Sequence, residues 1–423
     1  MDYKRILETV QNLLQRAEYG DKDYRDDEPF RRSGLGAETL SFQGAENAQA
    51  FDKALDELWK KDKEVYDTYT KKTFQNDLLA YLRGCKEGEE CSVETLRSFF
   101  KGLKSKEVKT YKVIYPIFGA EYRKVDPLKI GPFTIFNPEI HHKRLLEEYP
   151  HAETILDIAF IQTLPADEVR EVGKYTKYIF NVAISVVEEA REAAKANEKA
   201  LVRLRQFENT IRFMIGSQNK DYDIGVFNFN EIRRTQGVLL WDEKSSITSN
   251  LSGSFEIIPL HQFPINDPQY GHDKLWEMLN KHNPSDLEQR IMSAITWVGR
   301  GLRDEEPARA YVQYVFALEA LLQFQKDNLV SPSITYSISE MSAFIVAEDL
   351  ENRLAVEDMV KRIYRKRSAI AHGGTHEVDE SILRDALWLI KSLITTLTVN
   401  EEFKDLKKID DLNTWVKKQK YSS

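Results

Sequence analysis

Two cysteines in 423 residues, Cys85 and Cys91, are too few for a disulfide framework or a thiolate metal site. Five residues separate them in a Gly- and Glu-rich stretch, and a reducing compartment fits such sparse usage. No run of about 18 apolar residues occurs, so no membrane-spanning helix is expected. The opening MDYKRILETVQNLLQRAEYG reads as a charged amphipathic helix rather than a signal peptide. These absences point to a soluble, cytoplasmic protein without membrane contact. A Gly-rich phosphate loop of Walker type is also missing, which argues against ATP-driven work. Histidine is scarce, with 8 in the chain. The adjacent His141 and His142 point in different directions in any regular element and are expected on the surface rather than as ligands. No metal and no cofactor are expected. A formal net charge of −8 removes the extended cationic surface that broad coating of nucleic acid requires, so any such contact must be focused.

What is present is enough for two or three domains: 42% of residues are hydrophobic and 11% aromatic. The reading is an α+β multidomain chain with a helical N-terminal region over 1–105, an α+β middle domain over 106–272 with a helical insertion, and an all-α bundle over 273–423. In the first region Phe51, Leu55, Leu58, Trp59, Tyr66 and Tyr69 make one stripe on a single long helix from Ala48 to Leu82, after a polar loop from Asp21 to Asn47. Strands are expected at Thr110–Tyr115, Lys129–Phe136, Asp223–Asn228, Gly237–Trp241 and Ser254–Pro259, with a long charged helix from Pro165 to about Ile215. After Pro268 the strands stop. Helices are expected at Ser285–Leu302, Ala308–Gln325, Leu354–His372 and Val378–Asn400, with a shorter one at Ser337–Ala347, and the four long ones suggest an antiparallel bundle. Pro284-Ser285-Asp286, Pro307 and Gly373-Gly374 supply matching start and stop signals.

The third bundle helix ends in a local cationic run: Lys361, Arg362, Arg365, Lys366 and Arg367 fall within seven residues of an acidic chain, just before His372. His372, the acid–base residue type in this segment, sits where the Gly pair would end the helix. At 100° per residue, Val356, Met359, Val360, Ile363 and Ile370 share one side, and Arg367 falls inside that stripe. On the preceding helix Val312, Val315, Phe316 and Leu322 make the equivalent face, with Glu319 inside it. Two opposite charges facing one core should pair, so Glu319 is expected to meet Arg367. His372 shares the opposite face with Ser368, Arg365 and Lys361, which leaves both arginines as candidates to work beside it. A basic run at a helix C-terminus also complements the macrodipole without any ligand, and the ion pair also serves packing alone.

Arg367-Ser-Ala-Ile-Ala-His372 followed by Gly-Gly resembles the Arg, polar residue, three residues, His motif of HEPN-domain ribonucleases. With Phe-Ala-Leu-Glu-Ala-Leu-Leu one helix earlier, the text from about 273 to 400 looks like the ApeA-like HEPN branch of bacterial anti-phage and toxin-like proteins. The resemblance implies a C-terminal HEPN four-helix bundle in which Arg367 and His372 are catalytic, Ser368 is the polar neighbour, often Asn in relatives, and Glu319 is the acidic support. Gly374 stands where the branch regulated by nucleotidyltransferases carries Tyr. It further implies metal-independent endonucleolytic cleavage of RNA, tRNA included, in antiviral defence by abortive infection or a toxin-like action. Homodimers with facing motifs are implied as well, and residues 1–270 would sense a phage-derived trigger or regulatory partner. The chemistry suits these residues: the ribose 2′-hydroxyl attacks the adjacent phosphate, His372 serves as general acid or base, and an arginine fork offsets charge on the phosphate oxygens. Arg365, Lys366, Lys361 and Arg362 would bind the RNA backbone. A non-catalytic HEPN module that binds RNA, nucleotide or a protein partner is the alternative.

Overall fold

A computed structural model describes residues 2–19, 30–32, 40–150, 182–216, 224–226, 233–241, 244–252, 257–324, 334–373 and 377–422. The chain is of mixed α+β class with helices predominating, and it divides into two compact units, residues 1–113 with 187–202 and residues 114–186 with 203–423.

The first unit contains α1 (Tyr3–Arg16), β1 (Glu18–Tyr19), β2 (Phe30–Arg32), β3 (Leu40–Gln43), α2 (Ala45–Lys61), α3 (Lys63–Thr68), α4 (Lys71–Lys86), α5 (Val93–Ser105) and the start of β4 (Lys109–Pro116). In α1 the 3–4 spacing buries Ile6, Val10 and Leu13. Within the polar loop expected over Asp21–Asn47, β2 and β3 are strands that join β1 in an antiparallel sheet of order β1-β3-β2, with Leu40 and Phe42 buried; residues 21–29 and 33–39 lie outside the described residues. The single long helix expected from Ala48 to Leu82 is three helices. The buried carboxylate of Asp62 accepts from the backbone N–H of Glu64 at 3.0 Å and Val65 at 3.2 Å, and Thr70 Oγ1 accepts from Thr73 N–H at 3.2 Å. Each cap starts a new helix and re-aims the stripe. Phe51, Leu55, Leu58 and Tyr69 remain buried, while Tyr66 is exposed.

The second unit continues with β5 (Ala120–Glu121), β6 (Leu128–Ile130), β7 (Phe133–Phe136), α6 (Pro138–Glu148), β8 (Ala183–Ala190), α7 (Ala193–Ile215), β9 (Arg233–Trp241), β10 (Lys244–Ser252) and β11 (Ile258–Pro259). The boundary between the units falls inside β4, β8 and α7. A four-stranded sheet has the order β4-β8-β7-β6, with Phe133 opposite Val186 and Phe136 opposite Ala183 in the antiparallel β7–β8 pair. Lys129–Phe136 is a hairpin rather than one strand. It turns at Gly131, whose φ of 51° and close approach to the Trp276 carbonyl, 2.5 Å from a Cβ placed there, admit only glycine. The expected helix from Pro165 is overturned at Ala183–Ala190, where the run Ile184-Ser185-Val186-Val187 is a strand with a buried face, and holds from Ala193 onward; residues 165–181 lie outside the described residues. In the strand expected at Asp223–Asn228, half of which lies outside the described residues, Gly225 makes an antiparallel bridge to Phe118. The expected Gly237–Trp241 strand is the end of β9, and it pairs with β10. Only Ile258–Pro259 of the last expected strand is extended among the described residues, as β11 parallel to β5. His141, expected on the surface, is buried on α6: its Nδ1–H donates to the Asn137 carbonyl at 2.7 Å, and its ring packs edge-on to Phe136 at 5.7 Å.

The helical part comprises α8 (His272–Asn280), α9 (Asp286–Arg303), α10 (Pro307–Leu322), α11 (Ile334–Val346), α12 (Leu350–Ala371), α13 (Glu380–Val399) and α14 (Ile409–Tyr421). Ser285 and Glu288 close a capping box at α9, Pro307 opens α10, and Gly373 follows α12 with φ 73°, as the sequence signals require. α10 packs against α9, α12 and α13, burying Tyr311, Tyr314, Val315, Leu318, Leu321 and Leu322. Among the described residues no helix is long and apolar enough to cross a membrane.

Lys391 of α13 reaches the end of α7, donating to the carbonyls of Gly216 at 2.8 Å and Met214 at 3.5 Å. Withdrawal of its ammonium from water lowers its pKa from the ordinary 10.5 to about 8. Below pH 8 folded and unfolded chains both carry the proton and the desolvation penalty is complete; between pH 8 and 10.5 the unfolded chain holds more protons, so stability rises with pH. Relative to a Lys391→Met variant, the wild type should therefore gain up to about 3 kcal/mol across that window, read by urea unfolding at a series of pH values. A constant difference between the two proteins would contradict this.

Candidate active site

The last two turns of α12 form one wall of an open cleft of 530 Å³, lined by Lys361, Tyr364, Arg365, Arg367 and Ser368 together with Thr335 from the start of α11. Its position follows from packing. Val356, Val360 and Ile363 are the buried residues of α12, and the buried Tyr311 hydroxyl of α10 donates to the Ile363 carbonyl at 2.7 Å. That bond ties α12 to α10 one turn before Arg367.

Glu319 and Arg367 meet, with Oε1 3.9 Å from Nη2. The pair lies at the lip of the packed helices rather than in the core: the arginine side chain is 39% exposed and the carboxylate 19%. Val312, Phe316 and Glu319 form a half-buried edge of α10, whereas the deeply buried face runs through Tyr311, Val315, Leu318 and Leu322. Tyr364 completes this edge. Its hydroxyl is buried without a hydrogen-bond partner, and burial first, then the Glu319 charge, pushes its pKa up against the opposing pull of Arg367. The phenol is therefore a neutral donor at any physiological pH.

The cationic run is not uniformly available. Lys361 pairs with Glu357 at 3.3 Å and Asp358 at 3.6 Å, and Arg362 pairs with Asp385 at 3.3 Å, away from the cleft. Arg365 has no carboxylate partner among the described residues; its Nε donates to the Lys361 carbonyl at 3.3 Å, leaving the rest of the fork free to face an anion. Lys366 is half-buried and outside the cleft lining. His372 caps α12, exposed, with its backbone N–H donating to the Ser368 carbonyl at 3.1 Å, and it too is not among the lining residues. The structure thus brings Arg365, Arg367, Ser368 and Lys361 around one cleft with Glu319 behind, and sets His372 one turn beyond. Gly374 and His376 lie outside the described residues.

Tyr364 and Thr335 were missed by sequence reasoning. Tyr364 shows only as one aromatic in a basic run, although its place three residues before Arg367 puts it on the same side of the helix; Thr335 comes from a different helix and carries no local signal. Among the described residues, no group of three or more His, Cys, Asp or Glu side chains is placed to hold a metal ion. No family model, curated protein or solved structure matches the chain.

Two stability outcomes follow. Tyr311→Phe should cost about 1 kcal/mol, because the hydroxyl bond to Ile363 is lost while the ring still fills its site. Glu319→Gln should cost less than about 1 kcal/mol, since Arg367 is exposed enough to be solvated when its counter-charge goes. Chemical denaturation of both variants checks the order; a larger loss for Glu319→Gln would place the pair in the core.

Proposed function

We propose that the chain is an endoribonuclease of the HEPN type that cleaves RNA by attack of the ribose 2′-hydroxyl, without a metal, as an anti-phage or toxin-like effector. The observation that carries this reading is the cleft wall: two arginines, with the Arg365 guanidinium free of any carboxylate among the described residues and Arg367 held only at 3.9 Å from Glu319, on the helix that ends at His372, five residues beyond Arg367. A phosphodiester between these forks would receive bidentate donors on its non-bridging oxygens. The 2′-oxygen forms a bond to phosphorus as the bond to the 5′-oxygen breaks. The 2′-hydroxyl proton passes to a base and the leaving 5′-oxygen gains one from an acid; His372 serves in one of these roles. The products are a 2′,3′-cyclic phosphate and a 5′-hydroxyl. A homodimer through the HEPN face would place two such clusters around one strand and double the local positive charge, which an acidic chain needs in order to grip RNA. The bundle identity, a cytoplasmic location and a sensing role for the remainder of the chain belong to this same proposal.

One observation favours a second reading, a non-catalytic module that binds RNA, nucleotide or a protein partner: His372 stands outside the residues that line the cleft. His372→Ala separates the two. On the nuclease reading it should lower cleavage of total RNA or defined tRNAs at least ~10²-fold with binding retained, whereas unchanged cleavage would remove His372 from the mechanism. Cleavage should persist in excess EDTA and leave 2′,3′-cyclic phosphate or 3′-phosphate ends; 3′-hydroxyl ends, or activity restored only by Mg²⁺, would refute the chemistry.

The two arginines have distinct expected signatures. Arg367→Ala should reduce turnover by roughly 10²–10³-fold. Arg365→Ala should mainly weaken RNA affinity and make its salt dependence shallower by about one counterion. Undiminished cleavage by a folded Arg367→Ala protein would exchange these roles.

A further inference from the structure

A second cavity, of 320 Å³, lies away from the α12 cleft, where the end of α7, the segment before α8 and the middle of α13 come together. Its walls include Phe213, Phe263, Tyr270, His272, Lys391 and Thr395. Three rings make a continuous wall: Phe263 stacks with His272 at 6.4 Å and an interplanar angle of 20°, and Tyr270 lies 5.5 Å from His272 at 32°. The imidazole is buried and its orientation is fixed, because Nδ1–H donates to the Pro264 carbonyl at 2.7 Å. Nε2 is left as an acceptor in the neutral ring. Burial first and the Lys391 charge next keep that ring neutral, against the Pro264 bond and the carboxylates of Asp267 and Asp273.

Opposite this wall, Lys391 has carbonyls and the Phe213 ring, 5.6 Å away, as partners, and no carboxylate among the described residues. A cation held out of water without a counter-charge is costly, and proteins ordinarily pair such a group. The two carbonyl bonds use two of its three N–H donors, so one remains for a group in the cavity. The volume is at the lower end of the range for ligand sites, enough for one ring system with a short anionic arm and too small for a dinucleotide.

We propose that this cavity binds a small planar aromatic anion, a nucleoside monophosphate or an aromatic carboxylate, whose ring extends the Phe263–His272–Tyr270 wall and whose anionic group is the counter-ion of Lys391. The site stands apart from Arg365 and Arg367, and its occupancy does not depend on RNA cleavage.

The test is isothermal titration of the full chain at pH 7 with AMP, UMP and indole-3-carboxylate, each beside its neutral counterpart, adenosine, uridine or indole. At least one anionic probe should bind saturably below ~1 mM, and its neutral counterpart should bind at least about tenfold more weakly, the loss expected when one charge-assisted hydrogen bond is removed. The nucleotide and carboxylate arms identify which source of the shared chemistry the cavity prefers. Lys391→Met should weaken the anion at least about tenfold. Thr395→Leu fills the cavity without touching the Lys391 bonds to α7, and should abolish binding with an unchanged melting temperature. Absence of binding by every anionic probe overturns the proposal, as does equal binding of charged and neutral forms. So does binding that survives Thr395→Leu and is lost in Arg365→Ala, which would seat the anion in the α12 cleft.

Discussion

The placement of α12 over α10 is the constraint on which the candidate site depends. α10 is clasped by α9, α12 and α13 and has little surface left that is not apolar and covered. Its two buried tyrosines and its leucines fill that space, and the Tyr311 hydroxyl then reaches past the core to the Ile363 carbonyl at 2.7 Å. Because a helix is stiff over a single turn, fixing Ile363 fixes the azimuth of Tyr364, Arg365, Arg367 and Ser368. The half-buried edge of α10, ending in Glu319, lies beneath that segment. The ion pair with Arg367 is a consequence of this packing, and at 39% exposure it contributes orientation more than stability.

The electrostatic character of the cleft comes from an uneven distribution of partners rather than from the number of cations. The chain is acidic overall, with a net charge of −8. Within the run from Lys361 to Arg367 carboxylate pairing neutralises Lys361 twice and Arg362 once. Arg365 escapes it, and Arg367 is met by a carboxylate that is itself half-buried and only loosely engaged. A polyanion arriving at this face therefore finds one guanidinium with no competing charge and a second that can exchange its partner at small cost. Lys391 is the same situation turned inward, a cation satisfied by carbonyls alone, and its lowered pKa records the missing counter-charge.

The helical part was legible because its signals are local and agree with one another. The Ser285–Glu288 box, Pro307 and Gly373 mark termini within a few residues, and the Val356, Val360 and Ile363 spacing identifies the buried side of α12. The Glu319–Arg367 pairing was readable from two charges misplaced in apolar stripes. What escaped depended on partners distant in sequence or on one polar side chain. Asp62 and Thr70 break the N-terminal helix with hydrogen bonds that a hydrophobic count does not register. Ala183–Ala190 lies in an Ala- and Glu-rich stretch with good helix propensity, yet its β-branched centre is recruited by β7. His141 looked like one of two surface histidines until Asn137 and Phe136 supplied a buried setting. The helical wheel put Lys361, Arg365 and Ser368 with His372 on one face and Arg367 in the apolar stripe, but it did not reveal Thr335 from α11 or the inward turn of Tyr364, both of which tertiary packing decides.

The central claim is that the cleft on α12 positions a phosphodiester for attack by its own ribose. The most direct measurement is cleavage of a mapped RNA substrate in which only the sugar on the 5′ side of the scissile phosphate is replaced by 2′-deoxyribose. Cleavage should vanish at that linkage alone, with other sites in the same strand still cut, because the nucleophile has been removed while every backbone contact of the phosphate is kept. Continued cleavage at the substituted linkage would require an external nucleophile and would contradict the account.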